Sequence, residues 1–309
     1  MTSRKNASRP DTARRPSPGV SHSQAIATLA PLLTKDPPQF WQCYGLHRTG
    51  SQTEIGVDRT MPTGGASGAG QGGSESSLDV EQSRSMAPGA NIEVYVAPNT
   101  NSGFIDLFNG VVNRYHGVVP NVMSVSWGEA EHFETRGYAV LMNHQFEQGA
   151  AEGICRSGLP QGDSAARRRL PGGLGRWLCG LLCRAGLAGA AGKGFPDVSL
   201  NADPYTGYSI YDSSSSYTTA QAGWTDGWGG TSFASPNWVG ITALLDQSAG
   251  PPLGFLPPTL YAIANQGGLQ DVPASSNWHC QAGTGWDAAT GLGVPNVARL
   301  AQAIQAYSG

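Results

Sequence analysis

The sequence predicts an α/β domain built on a parallel β-sheet. Residues 92–98 and 119–127 are short apolar runs rich in β-branched side chains, and residues 103–115 between them carry apolar side chains at helical spacing. A strand, a helix and a second strand in this order form a parallel unit. Substrate clefts in such sheets lie at the carboxyl ends of the strands, which here means close to residue 127.

A candidate nucleophile lies further along the chain, in residues 229–236 (GGTSFASP). A tight Gly-Gly turn there leads into an apolar helical run. The turn places the hydroxyl of Ser232 at a helix N-terminus, where it is accessible and close to the positive end of the helix dipole. The alternative is that the glycines form only a turn and Ser232 only a helix cap.

The expected base is a carboxylate, because the six histidines do not lie in the His-Gly-Thr setting of a subtilisin-type triad. Glu75 and Asp79 are spaced i, i+4, so a helix would place both carboxylates on one face. This pair can act as a relay: one carboxylate accepts the proton of a serine hydroxyl, and the other interacts with that carboxylate. A neutral protease of the subtilisin type is therefore disfavoured.

Three motifs in a fixed order make the resemblance specific. Glu75 and Asp79 are followed by residues 86–90 (MAPGA), then 124–128 (SVSWG), then 230–232 (GTS). This order resembles the sedolisin or serine-carboxyl peptidase family. The resemblance implies a subtilisin-like fold, in which helices flank both faces of a parallel sheet.

The resemblance also implies the chemistry of a serine-type endopeptidase that cleaves proteins or peptides. Ser232 would attack the peptide carbonyl while Glu75 accepts its proton and Asp79 holds and polarises Glu75. Because a carboxylate base has a reference pKa of about 4, such an enzyme would act at acidic pH. Asp163 would be the protonated donor to the oxyanion; alternatively, it is an ordinary surface aspartate in a loop.

By the same resemblance, residues 126–128 would line the substrate cleft. The alternative for this stretch is a strand end with Trp127 as a packing residue.

A calcium site is expected near the C-terminus. The resemblance assigns as ligands the carboxylates of two aspartates and the backbone carbonyls of three other residues: Asp271, Val272, Gly283, Gly285 and Asp287. An all-oxygen cage of this kind suits a hard cation such as Ca²⁺. The alternative is a glycine-rich turn with a capping aspartate.

The middle of the chain departs from this pattern. Residues 154–161 do not resemble a buried strand, and residues 165–195 contain no Asp, Glu, Val, Ile or Thr. A segment without β-branched side chains is a poor strand former, so residues 155–192 are interpreted as aberrant, from a shift of reading frame. The coding DNA would decide this. The rival to the enzyme is thus an inactive remnant that serves at most as a binding module.

The expected domain organisation has two parts. Residues 1–40 are expected to be a disordered or remnant segment with a short helix at 24–33 and no recognisable first core strand. Residues 41–309 are expected to form the peptidase domain. Within it, residues 64–73 are predicted to be a flexible glycine-rich loop and residues 205–217 a hairpin. The resemblance implies that residues 194–204 form a core strand and the loop before that hairpin.

Composition narrows the class of protein. Of 309 residues, 43 are glycine, 21 are proline and only 13% are charged, as in compact, loop-rich secreted enzymes. A net charge of −3 gives no reason to expect a nucleic-acid partner, and no apolar run is long enough to predict a membrane span. A monomer is expected. The five cysteines suggest mostly free thiols, and the resemblance implies an extracellular protein, although residues 1–20 do not read as a secretory signal.

Overall fold

The computed structural model describes residues 23–57, 66–113, 117, 119–128, 135–158, 196–214, 223–276 and 280–308. The strands in these ranges are β1 (Ser23–Thr28), β2 (Gln52–Gly56), β3 (Asn91–Val96), β4 (Val122–Val125), β5 (Cys155–Gly158), β6 (Tyr208–Asp212), β7 (Gly223–Trp228), β8 (Leu269–Gln270) and β9 (Val294–Pro295). The helices are α1 (Asp36–Cys43), α2 (Ala66–Met86), α3 (Asn101–Val112), α4 (Arg136–Ala151), α5 (Thr231–Ala249), α6 (Pro257–Ala262) and α7 (Val297–Ser308).

Five parallel strands form the main sheet, in the order β2, β3, β1, β4, β5. Strand β1 occupies the middle: Ser23 pairs with Asn91 on one side, and Gln24 pairs with Val122 on the other. Every side chain of β1 is buried. This is the expected state of a central strand in a parallel sheet whose two faces are both covered.

Helices cover both faces of this sheet, which confirms the predicted fold class. Because side chains alternate along a strand, Ala25 and Ala27 pack towards α3 and α4, whereas Ile26 packs with Val80 of α2 on the opposite face. Helix α5 packs beside α2 on that second face and contacts β4 and β5.

The expectations for the N-terminal part were wrong where the structure describes it. Residues 24–33 do not form a helix, because Ser23–Thr28 is the central strand, and it is the first core strand that the sequence did not reveal. Helix α1 follows, with Phe40 and Trp41 buried against the sheet. Residues 23–40 therefore belong with the core rather than with a separate terminal segment.

Three further expectations need correction. The glycine-rich stretch at 64–73 is not a loop throughout, since α2 already begins at Ala66. Residues 155–158 do form a strand, with Val122 of β4 opposite Cys155. Residues 196–203 have no strand assignment. The hairpin expected at 205–217 extends further along the chain, because β6 lies within that range but its antiparallel partner β7 begins only at Gly223. The rest of the segment interpreted as aberrant, residues 159–192, lies outside the described residues.

The thiols also differ from expectation. Cys280 is disulfide-bonded, while Cys43 is free and exposed. No helix within the described ranges is both long and apolar enough to cross a bilayer.

Candidate active site

Helix α2 carries two acidic side chains towards the start of α5. Glu75 and Asp79 lie one helical turn apart, and Asp79 is completely buried. The side chain of Ser232 forms a hydrogen bond with Glu75, and the charge of Glu75 acts on Asp79. The structure thus brings Ser232 next to two acids that precede it by more than 150 positions in the chain.

Two glycines place Ser232 at the beginning of α5. Gly230 is the N-cap and has φ of 104°, a left-handed conformation that only glycine adopts without strain. A Cβ on Gly229 would lie 2.6 Å from the carbonyl oxygen of Ala202, so only glycine fits this close approach. Ser232 is therefore the second residue of the helix and half-buried, where the helix dipole favours developing negative charge.

Close packing of α2 against α5 holds the acids near the serine. A Cβ on Gly240 of α5 would lie 2.7 Å from the carbonyl oxygen of Ser83 on α2, so the two helix backbones approach closely there. The amide of Asn237 donates to Gln82 Oε1 at 3.4 Å, and the Ser124 and Ser235 hydroxyl oxygens lie 2.8 Å apart, which ties α5 to β4. The site is thus positioned by regular structure rather than by loops.

The pKa values of Glu75 and Asp79 are both raised, so the pair tends to keep a proton. Burial raises the pKa of Glu75, against the opposing effect of the hydrogen bond from Ser232. Burial also raises the pKa of Asp79 well above its usual value, and the neighbouring charge of Glu75 raises it further. Glu75 Oε1 and Asp79 Oδ2 have no hydrogen-bond partner among the described residues. Two close carboxyls in this state titrate as a pair and share protons.

Residues at the end of β4 contribute contacts that the sequence did not predict. The Ser126 hydroxyl donates to Asp79 Oδ1 at 2.5 Å. The indole N–H of Trp127 donates to Thr28 Oγ1 at 3.0 Å, and Thr28 Oγ1 lies 2.6 Å from Ser76 Oγ on α2. The only signal in the sequence was the position of these residues at a carboxyl strand end.

Asp163 lies outside the described residues, so its role at the oxyanion stays a prediction. The two described histidines, His47 and His144, are exposed on the surface, and His144 lies 3.5 Å from Glu147. Among the described residues, the base candidate next to Ser232 is thus a carboxyl group.

Known proteins similar to this chain include peptidases. The chain is 30% identical to kumamolisin of Bacillus sp. (strain MN-32) over 305 aligned positions, which cover 79% of this chain and 52% of that relative. The chain is 28% identical to human tripeptidyl-peptidase 1, and the alignment covers 78% of this chain and 53% of that relative. The structure of Pseudomonas sedolisin, a serine-carboxyl proteinase, superposes with a TM-score of 0.69 at 22% identity, covering 97% of this chain and 96% of that one.

The chain is similar to proteins of the sedolisin family over most of its own length. It spans about half the length of the curated relatives it matches. No protein-family model matches it. A lanthipeptide protease with 12% identity and a TM-score of 0.54 shares the general fold alone.

The expected calcium ligands lie around one glycine-rich loop. Asp271 Oδ2 accepts the backbone N–H of Gly285 at 2.9 Å, and Asp287 Oδ2 accepts the backbone N–H of Gly283 at 3.0 Å. Val272 follows Asp271 directly. Asp271 Oδ1 is buried and has no hydrogen-bond partner in the part of the chain that the structure describes. Within the described ranges no group of three or more His, Cys, Asp or Glu side chains could hold a metal, so a site here needs backbone oxygens as well.

Asp287 is suited to remain ionised. Its partial burial on its own would raise its pKa, but hydrogen bonds from the backbone N–H groups of Gly283, Thr290 and Ala289 outweigh burial and lower the pKa. A carboxylate held in this way can bind a cation through its remaining lone pairs.

Proposed function

We propose that this chain is a serine-carboxyl endopeptidase that hydrolyses peptide bonds in acid. The observation that carries the proposal is the hydrogen bond between Ser232 at the start of α5 and Glu75, whose carboxyl is coupled to the buried Asp79. Similarity to the sedolisin family supports the same activity. Peptides or proteins are the proposed substrates, and the proposed acting form is a monomer.

In the proposed reaction, Ser232 Oγ attacks the carbonyl carbon of the peptide bond and its proton passes to Glu75. Asp79 holds Glu75 in place and shares the negative charge. Collapse of the tetrahedral intermediate breaks the C–N bond, and the leaving amine takes the proton from Glu75. Water then attacks the carbonyl carbon of the acyl-enzyme while Glu75 accepts its proton, and that proton returns to Ser232 Oγ as the ester bond breaks and the acid product leaves. Asp163 remains the candidate oxyanion donor on the strength of the resemblance.

The proposed pH range follows from the acids. Glu75 must be ionised to act as a base, and its raised pKa sets the lower limit of activity. The pair must also keep one proton for Asp79 to donate towards Glu75. The buried state of Asp79, which raises its pKa, preserves this proton in mild acid. A histidine in place of Glu75 would be protonated there and could not serve as a base.

The test is hydrolysis of an internally quenched peptide by the full chain, measured from about pH 3 to pH 8, where carboxyl and histidine bases are distinguishable. We expect a maximum in the acid range and covalent labelling by a peptide aldehyde at the same pH. A chain that unfolds cooperatively but neither cleaves nor reacts would instead be the inactive binding module.

An extracellular location is part of the proposal. Relatives in the family are consistent with it, and the disulfide of Cys280 supports it because disulfides persist in oxidising compartments.

We further propose that the C-terminal loop binds Ca²⁺. The carboxylates of Asp271 and Asp287 and the backbone carbonyls of Val272, Gly283 and Gly285 would hold the ion. The unpartnered Asp271 Oδ1 supports this assignment, because a buried carboxylate oxygen without a donor is costly unless a cation satisfies it. The bound ion would tie the loop that carries Asp287 to the end of β8.

Asp271→Asn is expected to weaken Ca²⁺ binding about 100-fold, because it removes one of two ligand charges. The measurement is the Ca²⁺-dependent rise in melting temperature, titrated with Ca²⁺ alone. Asp226→Asn changes an exposed aspartate of β7 and is the matched control, which should keep the full Ca²⁺ response. An unchanged Ca²⁺ response in Asp271→Asn would contradict the assignment.

A further inference from the structure

Ser126 lies where the sheet meets the acidic pair. It follows directly after β4, at the carboxyl edge of the sheet, and its Oγ donates to Asp79 Oδ1 at 2.5 Å. Asp79 is completely buried, so this hydroxyl replaces the solvent that would otherwise bind the carboxyl oxygen. The contact joins two elements that are 47 residues apart in the chain.

We propose that Ser126 is a positioning residue that fixes which oxygen of Asp79 shares a proton with Glu75. The inference rests on the proposed peptidase function, because it assigns a role within the same site. With Ser126 donating to Oδ1, a proton on Asp79 belongs on Oδ2, the oxygen that has no other partner. Glu75 Oε1 is the other unpartnered acceptor of the pair. The proton is therefore directed at Glu75 rather than away from it.

The same hydrogen bond has an effect on ionisation. Donation by Ser126 favours the ionised form of Asp79 and lowers its pKa, whereas burial and the charge of Glu75 raise it. Glu75, on the same helix, is the charged group that acts on Asp79. The groups that face the acidic pair from other packed elements are Ser126 after β4, which contacts Asp79, and Ser232 of α5, which contacts Glu75. The nearby Asp36 and Asp212 affect the pKa of Glu81. Ser126 therefore lowers the upper limit of the pH range over which the pair keeps one proton, a limit that burial and the charge of Glu75 raise.

Ser124 provides a matched comparison. It lies two residues before Ser126, on the same face of the same strand segment, and is fully buried, whereas Ser126 is half-buried. Its hydroxyl oxygen lies 2.8 Å from that of Ser235 on α5. Loss of the Ser124 hydroxyl thus removes a hydroxyl contact of the same strand segment without removing the hydrogen bond to Asp79.

The experiment compares the pH dependence of kcat for the wild type, Ser126→Ala, Ser126→Thr and Ser124→Ala. We expect Ser126→Ala to lower kcat about tenfold and to move the alkaline limb upward by about one pH unit, since a hydrogen bond to a charged group is lost. Ser126→Thr keeps a hydroxyl and should restore both. Ser124→Ala should leave the alkaline limb in place, whatever its effect on stability.

A second readout does not depend on catalysis. The carboxyl carbon of Asp79, followed by ¹³C NMR against pH, should titrate higher in Ser126→Ala than in the wild type. Equal titration of Asp79 in both proteins would overturn the inference, as would an alkaline limb that does not move in an active Ser126→Ala variant. A wild type without hydrolysis would refute the peptidase function, and the NMR titration would still decide whether Ser126 acts on Asp79.

Discussion

Ser232→Ala is expected to lower the rate of peptide hydrolysis in acid by about 10⁴- to 10⁶-fold, because it removes the only atom that forms the covalent intermediate. The substituted helix keeps its N-cap at Gly230, and alanine is a good helix former, so folding should be preserved. The measurement is kcat for the internally quenched peptide at the acid optimum, together with labelling by the peptide aldehyde.

Ser248→Ala is the matched control for this loss. Ser248 lies on the same helix, and its hydroxyl accepts the side-chain amide of Gln305 at 2.8 Å, far along α5 from Ser232. This variant should retain acid hydrolysis. Full acid proteolysis by Ser232→Ala would show that Ser232 is not the nucleophile, and the assignment of Glu75 as its base would fail with it.

The second large effect concerns stability against pH, and it centres on Asp246 near the end of α5. This aspartate is 1% exposed; burial raises its pKa from 3.8 to about 7, against the opposing hydrogen bond from the backbone N–H of Leu253. The folded chain thus holds this proton between about pH 4 and pH 7, where the unfolded chain has lost it. The stabilisation is fully present below the unfolded pKa and disappears as the pH rises through 7.

The expected size is large for one residue. A shift of three pH units corresponds to about 4 kcal/mol in the free energy of unfolding, lost between acid and neutral pH. Glu81 acts in the same direction, because its burial and the nearby charges of Asp36 and Asp212 raise its pKa well above its usual value. The fold is therefore expected to be most stable in the pH range where the proposed active site works.

Denaturant unfolding of wild type and Asp246→Asn at about pH 4.5 and pH 7.5 tests this, because the two values lie on either side of the folded pKa. The amide oxygen of asparagine can still accept the N–H of Leu253, which lies 2.8 Å from Asp246 Oδ1. Between these two pH values the expected difference is about 3 kcal/mol. We expect Asp246→Asn to lose most of it and Asp226→Asn, at an exposed position, to keep it. An equal pH dependence in wild type and Asp246→Asn would refute the role of Asp246.

The candidate site residues could be predicted from local sequence patterns, whereas the contacts that surround them could not. The i, i+4 spacing of Glu75 and Asp79 is a local property of a helix, and the Gly-Gly turn before Ser232 is a local property of the backbone. Both are read without knowing the fold. The hydrogen bond between Ser126 and Asp79 depends instead on how β4 packs against α2, which no local pattern encodes.

Strand β1 was missed for a similar reason. Its sequence, SQAIAT, contains two alanines and a glutamine, which favour helices or are neutral, and a single isoleucine. Its strand conformation is imposed by neighbours on both sides. The raised pKa of Asp246 was equally invisible, because it arises from burial by residues distant in the chain.

The central place of β1 has a consequence for the order of folding. Its partners β3 and β4 are synthesised much later, so the earliest described strand must wait for β3 before one edge is paired and for β4 before both are. Pairings of such long sequence separation slow the folding of a domain. Deleting residues 23–28 would divide the sheet down its middle rather than trim an edge, and would leave β3 and β4 without a shared strand.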